Sequence, residues 1–347
     1  VNPLLIESPD GLYCPAGDFH VDAWRGVPRN IVTHAHSDHA RSGSTSYLCA
    51  TEGKAILHER VGGDAIIQPL AYGEVLDING VKVSLHPAGH VRGSAQVRLE
   101  HGGRVVVFTG DYKRQSDPTC TPFELVRCHE FITESTFGLP IYRWQEPSIV
   151  AADINAWWRG NVERERTSVI LAYTLGKAQR VISMLDATIG PILLHGSMVR
   201  MTDVYRETGC ELPPTEHASP ENAKVHKGRA MVIAPPSAHG STWIRKFLPV
   251  SVASASGWMM VRGQRRRRAV DRGFILSDHV DWPDLMRTIN ETGAERVGVT
   301  HGYTSVVTRF LKERGKDAYA INTRFVGEGE ESDEATQAAR GEVSDVE

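Results

Sequence analysis

The stretch His34-Ala35-His36-Ser37-Asp38-His39, set directly after the apolar run Ile31-Val32-Thr33, constrains this chain more than any other feature. It places three imidazoles and a carboxylate within six residues at the end of an expected strand. Nitrogen and oxygen donors at this density suit one or two divalent ions of hard-to-borderline character, Zn²⁺ or Mn²⁺. Alternate residues of an extended segment share a face, so His34 and His36 can point at one ion. Asp38 and His39 then fall where the chain turns and can reach a second. The plainer alternative is a surface histidine cluster or a chance run in a turn. It suits a lone histidine better than H-x-H-x-D-H behind an apolar strand.

Further donors also end apolar runs. His90 follows an expected strand over 81–85, within Pro87-Ala88-Gly89-His90-Val91-Arg92-Gly93-Ser94-Ala95. Asp111 closes the strand that ends Phe108-Thr109-Gly110, where a carboxylate can bridge two ions roughly 3.5–4 Å apart. Glu134 ends the next strand in Ile132-Thr133-Glu134-Ser135-Thr136, and His279 and His301 repeat the pattern far downstream. Any one of them alone reads as a capping aspartate or a satisfied core histidine. All five, in a chain that already holds the motif, read as ligands gathered from strand ends on a rigid scaffold.

Alternating apolar runs predict strands over 96–99, 104–109 and 130–133, with a hairpin turn at Gly102-Gly103. From about residue 145 the texture changes to helices over 148–159 and 176–187 between buried strands at 167–173, 191–194, 230–234 and 250–255, an α/β unit with a parallel sheet. Strand 274–277, helix 282–292 and strand 296–300 follow. At 347 residues the chain is long enough for two domains. No apolar run approaches the ~20 residues that cross a bilayer, so no membrane partner is expected, and residues 1–14 lack the basic start and apolar core of a signal peptide. Five scattered cysteines without a C-x-x-C pair suggest a reducing, cytoplasmic setting. Beyond about Gly327 the composition becomes acidic and aperiodic, which predicts a disordered tail.

These residues together resemble the metallo-β-lactamase superfamily, and its nucleic-acid-processing β-CASP branch in particular. H-x-H-x-D-H carries the superfamily likeness. Glu134 in E-S-T-F-G, Leu175-Gly176-Lys177-Ala178-Gln179, His279, and His301 in T-H-G carry the branch. Gly11-Leu12-Tyr13-Cys14, Asp22-Ala23-Trp24-Arg25 and the stretch from Ser256 to Arg272 running into Leu276-Ser277-Asp278-His279 are similar to the bacterial ligase-associated DNA exonuclease group. Ala23 departs from the proline of many relatives, which touches loop stiffness. His301 stands where DNA-specific relatives carry an apolar residue, which leans toward RNA-type relatives.

The resemblance implies an αββα metallo-β-lactamase sandwich with an inserted α/β β-CASP domain. Its parts would be residues 1–142 and 270–326 for the sandwich, 143–269 for the insert and 327–347 for the acidic tail. His34, His36 and His90 would hold a first ion, and Asp38, His39 and His301 a second. Asp111 would bridge both, and Asp22 would orient the ligands from behind. The implied activity is two-metal hydrolysis of phosphodiester bonds in DNA, at single-stranded ends and in the 5′ to 3′ direction, alongside a ligase and helicase of a repair pathway. Asp38 or Asp111 would take the proton of the attacking water, and His279, oriented by Glu134, would protonate the leaving oxygen. Candidate phosphate contacts are Arg262, Arg265, Arg266, Arg267, Arg268 and Arg272, the densest basic stretch, and Lys177 at a helix start. The alternatives are an RNA-processing endo- or exoribonuclease of the same branch, and a small-molecule metallo-hydrolase.

Overall fold

The computed structural model describes residues 3–261, 263 and 269–322. The chain divides into two compact units, one built from residues up to Arg143 and again from Asp278 onward, the other from Trp144–Ser277.

The first unit has two sheets. One has the order β1–β6, with β1 (Ile6–Ser8), β2 (Gly11–Cys14), β3 (Phe19–Val21), β4 (Arg29–Ile31), β5 (Ser46–Ala50) and β6 (Ile66–Leu70). Its first three strands are antiparallel and its last four parallel. The second sheet contains β7 (Val75–Ile78), β8 (Val81–Pro87), β9 (Ala95–His101), β10 (Arg104–Phe108) and β11 (Glu130–Ser135), joined by β18 (Arg296–Gly302) and β19 (Asp317–Ala320) in the order β19-β18-β11-β10-β9-β8-β7. The Gly102-Gly103 turn closes the β9–β10 hairpin with His101 opposite Arg104. Alternation along the strands divides the core in two. Val106, Phe108 and Ile132 join Leu12, Phe19, Val21 and Leu48 between the sheets. Val107, Phe131, Val297 and Val299 face the other way, against helices Trp282–Glu291 and Thr304–Glu313. The first of these helices starts where Asp281 accepts a hydrogen bond from the amide of Asp284 and Pro283 occupies the first turn.

In the second unit six strands, β12 (Thr167–Leu171), β13 (Ile192–Leu194), β14 (Glu216–His217), β15 (Met231–Ala234), β16 (Val250–Ala255) and β17 (Arg272–Phe274), form a parallel sheet ordered β14-β13-β15-β12-β16-β17. Ile170, Ile192, Leu194 and Ile233 pack under helices Pro147–Val162 and Lys177–Ser183. Val169, Leu193, Val232 and Phe247 form a separate core on the opposite face. Burial on both faces accounts for the unbroken apolar strands. Because β17 pairs with β16, the chain leaves this unit at Ser277, not near residue 270.

Candidate metal centre

All of the expected ligands lie in the first unit, at or just beyond the C-terminal ends of strands. β8, β10, β11 and β18 run in one direction, so the segments that follow them leave from one edge of their sheet. His90 and Asp111 lie just past β8 and β10, while Glu134 and His301 are the penultimate residues of β11 and β18. In the other sheet β3 and β4 are parallel, and Asp22 and His34 follow them. The amide of Ala95 bonds the Thr33 carbonyl at 2.8 Å and ties the two sheets together beside the motif.

The motif itself is not extended throughout. After β4 the chain turns sharply, with the amides of His39 and Ala40 both donating to the His36 carbonyl. Gly110 adopts a φ of +55°, and a Cβ there would come within 2.5 Å of Thr33 Oγ1. Gly89 has a φ of +71°, and a Cβ there would meet the Lys113 carbonyl at 2.4 Å. Both positions therefore require glycine, and both immediately precede a candidate ligand. Asp22 (φ +47°) and His301 (φ +59°) hold the same left-handed backbone without being glycine. Such conformations cost energy, and they concentrate at functional sites.

The donors converge in three groups whose ligand atoms lie within 4.8 Å of one another: His34, His36, His90 and Asp111; His39, Asp111 and His301; and Asp111, Glu134 and His279. Asp111 is common to all three. His36 Nδ1 stands 3.1 Å from both His34 Nε2 and His90 Nε2. Ligand nitrogens around a tetrahedral zinc are separated by roughly 3.3 Å, given Zn–N bonds of about 2.0–2.1 Å, so this spacing fits an ion. The opposite ring nitrogens are oriented from behind. His90 Nδ1 donates to the Asp278 carbonyl at 2.7 Å, and His39 Nδ1 lies 2.7 Å from Asp22 Oδ2. Asp22 also accepts from the Thr33 amide and hydroxyl, at 2.8 and 2.6 Å. Partners of this kind fix which nitrogen faces the ion. A set of imidazoles and carboxylates without thiolate suits zinc or manganese.

Electrostatics agree with a cation-binding role. Burial pushes His34 well below the ordinary imidazole range, helped by its neighbours His39 and His90. Burial does the same to His90, reinforced by His279. Both rings are therefore neutral donors. Burial opposes charge on Asp111, but His39, His279 and His301 outweigh it and hold this carboxyl well below its usual range. Burial likewise opposes charge on His39, and Asp38, Asp111 and Asp22 overcome it and push that imidazole well up. Three carboxylates around one ring are what a bound cation would neutralise.

Asp38 is buried, with Oδ2 3.7 Å from His39 Nε2, but it falls in none of the three groups. His279 Nδ1 lies 3.1 and 2.9 Å from the two oxygens of Glu134. Glu134 is itself held by the Tyr112 amide at 2.8 Å and the Thr136 hydroxyl at 2.5 Å. Lys177 differs from expectation. It is 1% exposed, and its Nζ donates to the Leu276 carbonyl at 3.1 Å, so its charge is directed at the main chain and not at a phosphate in solvent. Arg272 is exposed, 3.3 Å from Asp153 and stacked over Phe274 at 5.2 Å. Arg262, Arg265, Arg266, Arg267, Arg268 and the acidic tail lie outside the described residues. Two supports escaped the sequence reading: the Asp278 carbonyl, and Thr33 as a second partner of Asp22. Each stands next to an expected site residue, and that proximity was the only signal available.

No family model matches the chain. A probable DNA ligase of Opitutus terrae is 33% identical over 326 residues, which cover 92% of this chain and 31% of that protein. Endoribonuclease YSH1 of Saccharomyces cerevisiae is 30% identical across 42% of this chain and 19% of its own length. The transcription termination factor FttA of Methanosarcina mazei is 31% identical across 46% of this chain and 27% of its own. The chain thus spans about a third or less of the length of these curated relatives. A crystal structure of a protein of unknown function from Enterococcus faecalis V583 shares the fold, with a TM-score of 0.59 at 12% identity over 85% of this chain and 79% of that one. These similarities bear out the resemblance to the β-CASP branch of the metallo-β-lactamase superfamily.

Proposed function

We propose that this chain is a metal-dependent DNA exonuclease that hydrolyses phosphodiester bonds at single-stranded ends, from 5′ to 3′, within a repair pathway. The observation that carries the hydrolytic part is the convergence of three donor groups on the single carboxylate of Asp111. Support for DNA comes from the probable DNA ligase, in which a region alignable with nearly this whole chain shares a polypeptide with the rest of that protein. A ligase and a helicase are the proposed pathway partners. The free, buried cysteines fit a reducing cytoplasm, and among the described residues no helix is long and apolar enough to cross a membrane.

Two bound cations, Zn²⁺ or Mn²⁺, would supply charge that lowers the pKa of a water toward about 7 and neutralises phosphoryl oxygens. His34, His36 and His90 would hold one and His39, His301 and Asp38 the other, with Asp111 shared. Among the chain's own groups, Asp38 or Asp111 would accept the proton of the attacking water. Glu134 engages Nδ1 of His279, which fixes the ring and directs its other nitrogen to the leaving oxygen as proton donor. The unit Trp144–Ser277 is read as the β-CASP insert, with Arg262, Arg265, Arg266, Arg267, Arg268 and Arg272 as its phosphate contacts.

RNA is a second reading, favoured by the endoribonucleases among the relatives and by the presence of His301. Parallel digestion of single-stranded DNA and RNA labelled at either end tests the choice. A mononucleotide ladder from the 5′ end of DNA alone is the expected result. Cleavage of RNA with DNA left intact would move the assignment to the second reading.

A further inference from the structure

Among the described residues of the first unit is a buried cation that the proposed chemistry does not use. Lys113, two residues past Asp111, is 1% exposed. Its Nζ lies 2.7 Å from Asp117 Oδ2, 3.3 Å from the carbonyl oxygen of His90 and 4.0 Å from Asp278 Oδ1. Asp117 is fixed in turn, its other oxygen accepting from the amide and hydroxyl of Thr119 at 2.9 and 2.7 Å. The Lys113 amide bonds the Ala88 carbonyl at 3.1 Å, and its carbonyl is the atom that a side chain at residue 89 would strike. One residue therefore grips 88, 89 and 90 in succession.

A buried ion pair is a poor stabiliser, because the loss of hydration offsets most of the attraction. An ammonium carries three N–H donors and Asp117 Oδ2 accepts one of them, so it is the direction of the two further contacts that is informative. Both lead to His90. One is to its own carbonyl. The other is to Asp278, whose carbonyl accepts the His90 Nδ1 proton at 2.7 Å. That hydrogen bond leaves Nε2 facing His36 Nδ1 at 3.1 Å.

We infer that Lys113 is a positioning residue for His90: its ammonium, held by Asp117, sets the backbone and the carbonyl partner that present His90 Nε2 to an ion. The inference rests on the reading of this edge as a metal centre, and its test needs no nuclease assay. Co²⁺ is titrated into the full chain against a competing chelator, and its visible absorption, which reports ligand geometry, is followed for wild type, Lys113→Met and the double variant Lys113→Met/Asp117→Asn. The double variant removes both charges of the pair and keeps the test open if the single variant fails to fold. Circular dichroism of the metal-free proteins verifies folding. The expected result is a folded double variant in which one ion binds about 10–100-fold more weakly, with an altered spectrum, while the other keeps its affinity. Unchanged affinity for both ions, an equal loss of both, or a double variant that does not fold would overturn the inference, since each makes Lys113 an ordinary core cation. A wild-type chain that takes up no ion at all is a different result and overturns the metal-centre reading itself.

Discussion

Both units bury charged groups, and they use them differently. In the first, imidazoles and carboxylates on the segments that follow β4, β8 and β10, together with His279, face one another across 3.1 to 3.8 Å. In the second, Lys177 and Arg180 are as deeply buried, but they face main-chain carbonyls, those of Leu276 at 3.1 Å and Ser277 at 2.5 Å. A cation bonded to a carbonyl is satisfied within the protein, whereas a set of facing acceptors calls for a cation from outside. Burial of charge is thus not by itself a sign of function. The sign of the facing group decides.

Substitutions can break this contrast in order of effect. Asp111→Ala removes the carboxylate common to all three groups, and metal content and cleavage should fall together. The loss should exceed the ~10–100-fold typical of outer partners, because a direct ligand is removed. Metal analysis alongside a cleavage assay checks this, and a variant that keeps both ions would deny Asp111 its shared place. His279→Ala should leave metal content near wild type while cleavage drops by about 10²–10⁴-fold, the range for a lost general acid. Cleavage at the wild-type rate would remove His279 from the acid role. Asp22→Asn should weaken metal binding by about 10–100-fold through the orientation of His39, measurable by chelator competition. Lys177→Met lies on the other side of the comparison. It should lower stability by about 1–3 kcal/mol in denaturant unfolding, because it leaves the Leu276 carbonyl short of a buried donor, while metal affinity stays unchanged. Weaker metal binding in that variant would blur the distinction between the units. Arg272→Ala should have the smallest effect, a modest loss of affinity for a single strand with the salt slope reduced by about one contact.

The parts of the site that were legible from sequence share one property: their chemistry is local. H-x-H-x-D-H, and a donor at the end of each apolar run, can be read because strand ends are marked by a change in texture. What escaped depends on contacts between distant segments. The hydrogen bond from His90 to the Asp278 carbonyl joins residues 188 apart, and no periodicity announces a carbonyl acceptor. The contact made by Lys177 is hidden from sequence for a related reason. Gly176 does precede a helix, as the anion-binding pattern requires, but the pattern is silent on a carbonyl of Leu276 that arrives 99 residues later to take the charge. In the fold, the alternation within β10 and the turn at Gly102-Gly103 were readable. The membership of β17 in the second sheet was not, because three residues carry too little pattern to choose a partner strand.

The proposed function requires that the first unit's strand ends form a centre for two ions that drives hydrolysis of a nucleic acid. The most direct measurement strips the protein with chelator, restores Zn²⁺ or Mn²⁺ in steps, and records bound ions per chain together with cleavage of an end-labelled single strand. The prediction is that no cleavage occurs in the stripped protein and that activity rises to its full value as the second ion binds. Full cleavage by the stripped protein, or two bound ions with neither DNA nor RNA cut, would contradict the account.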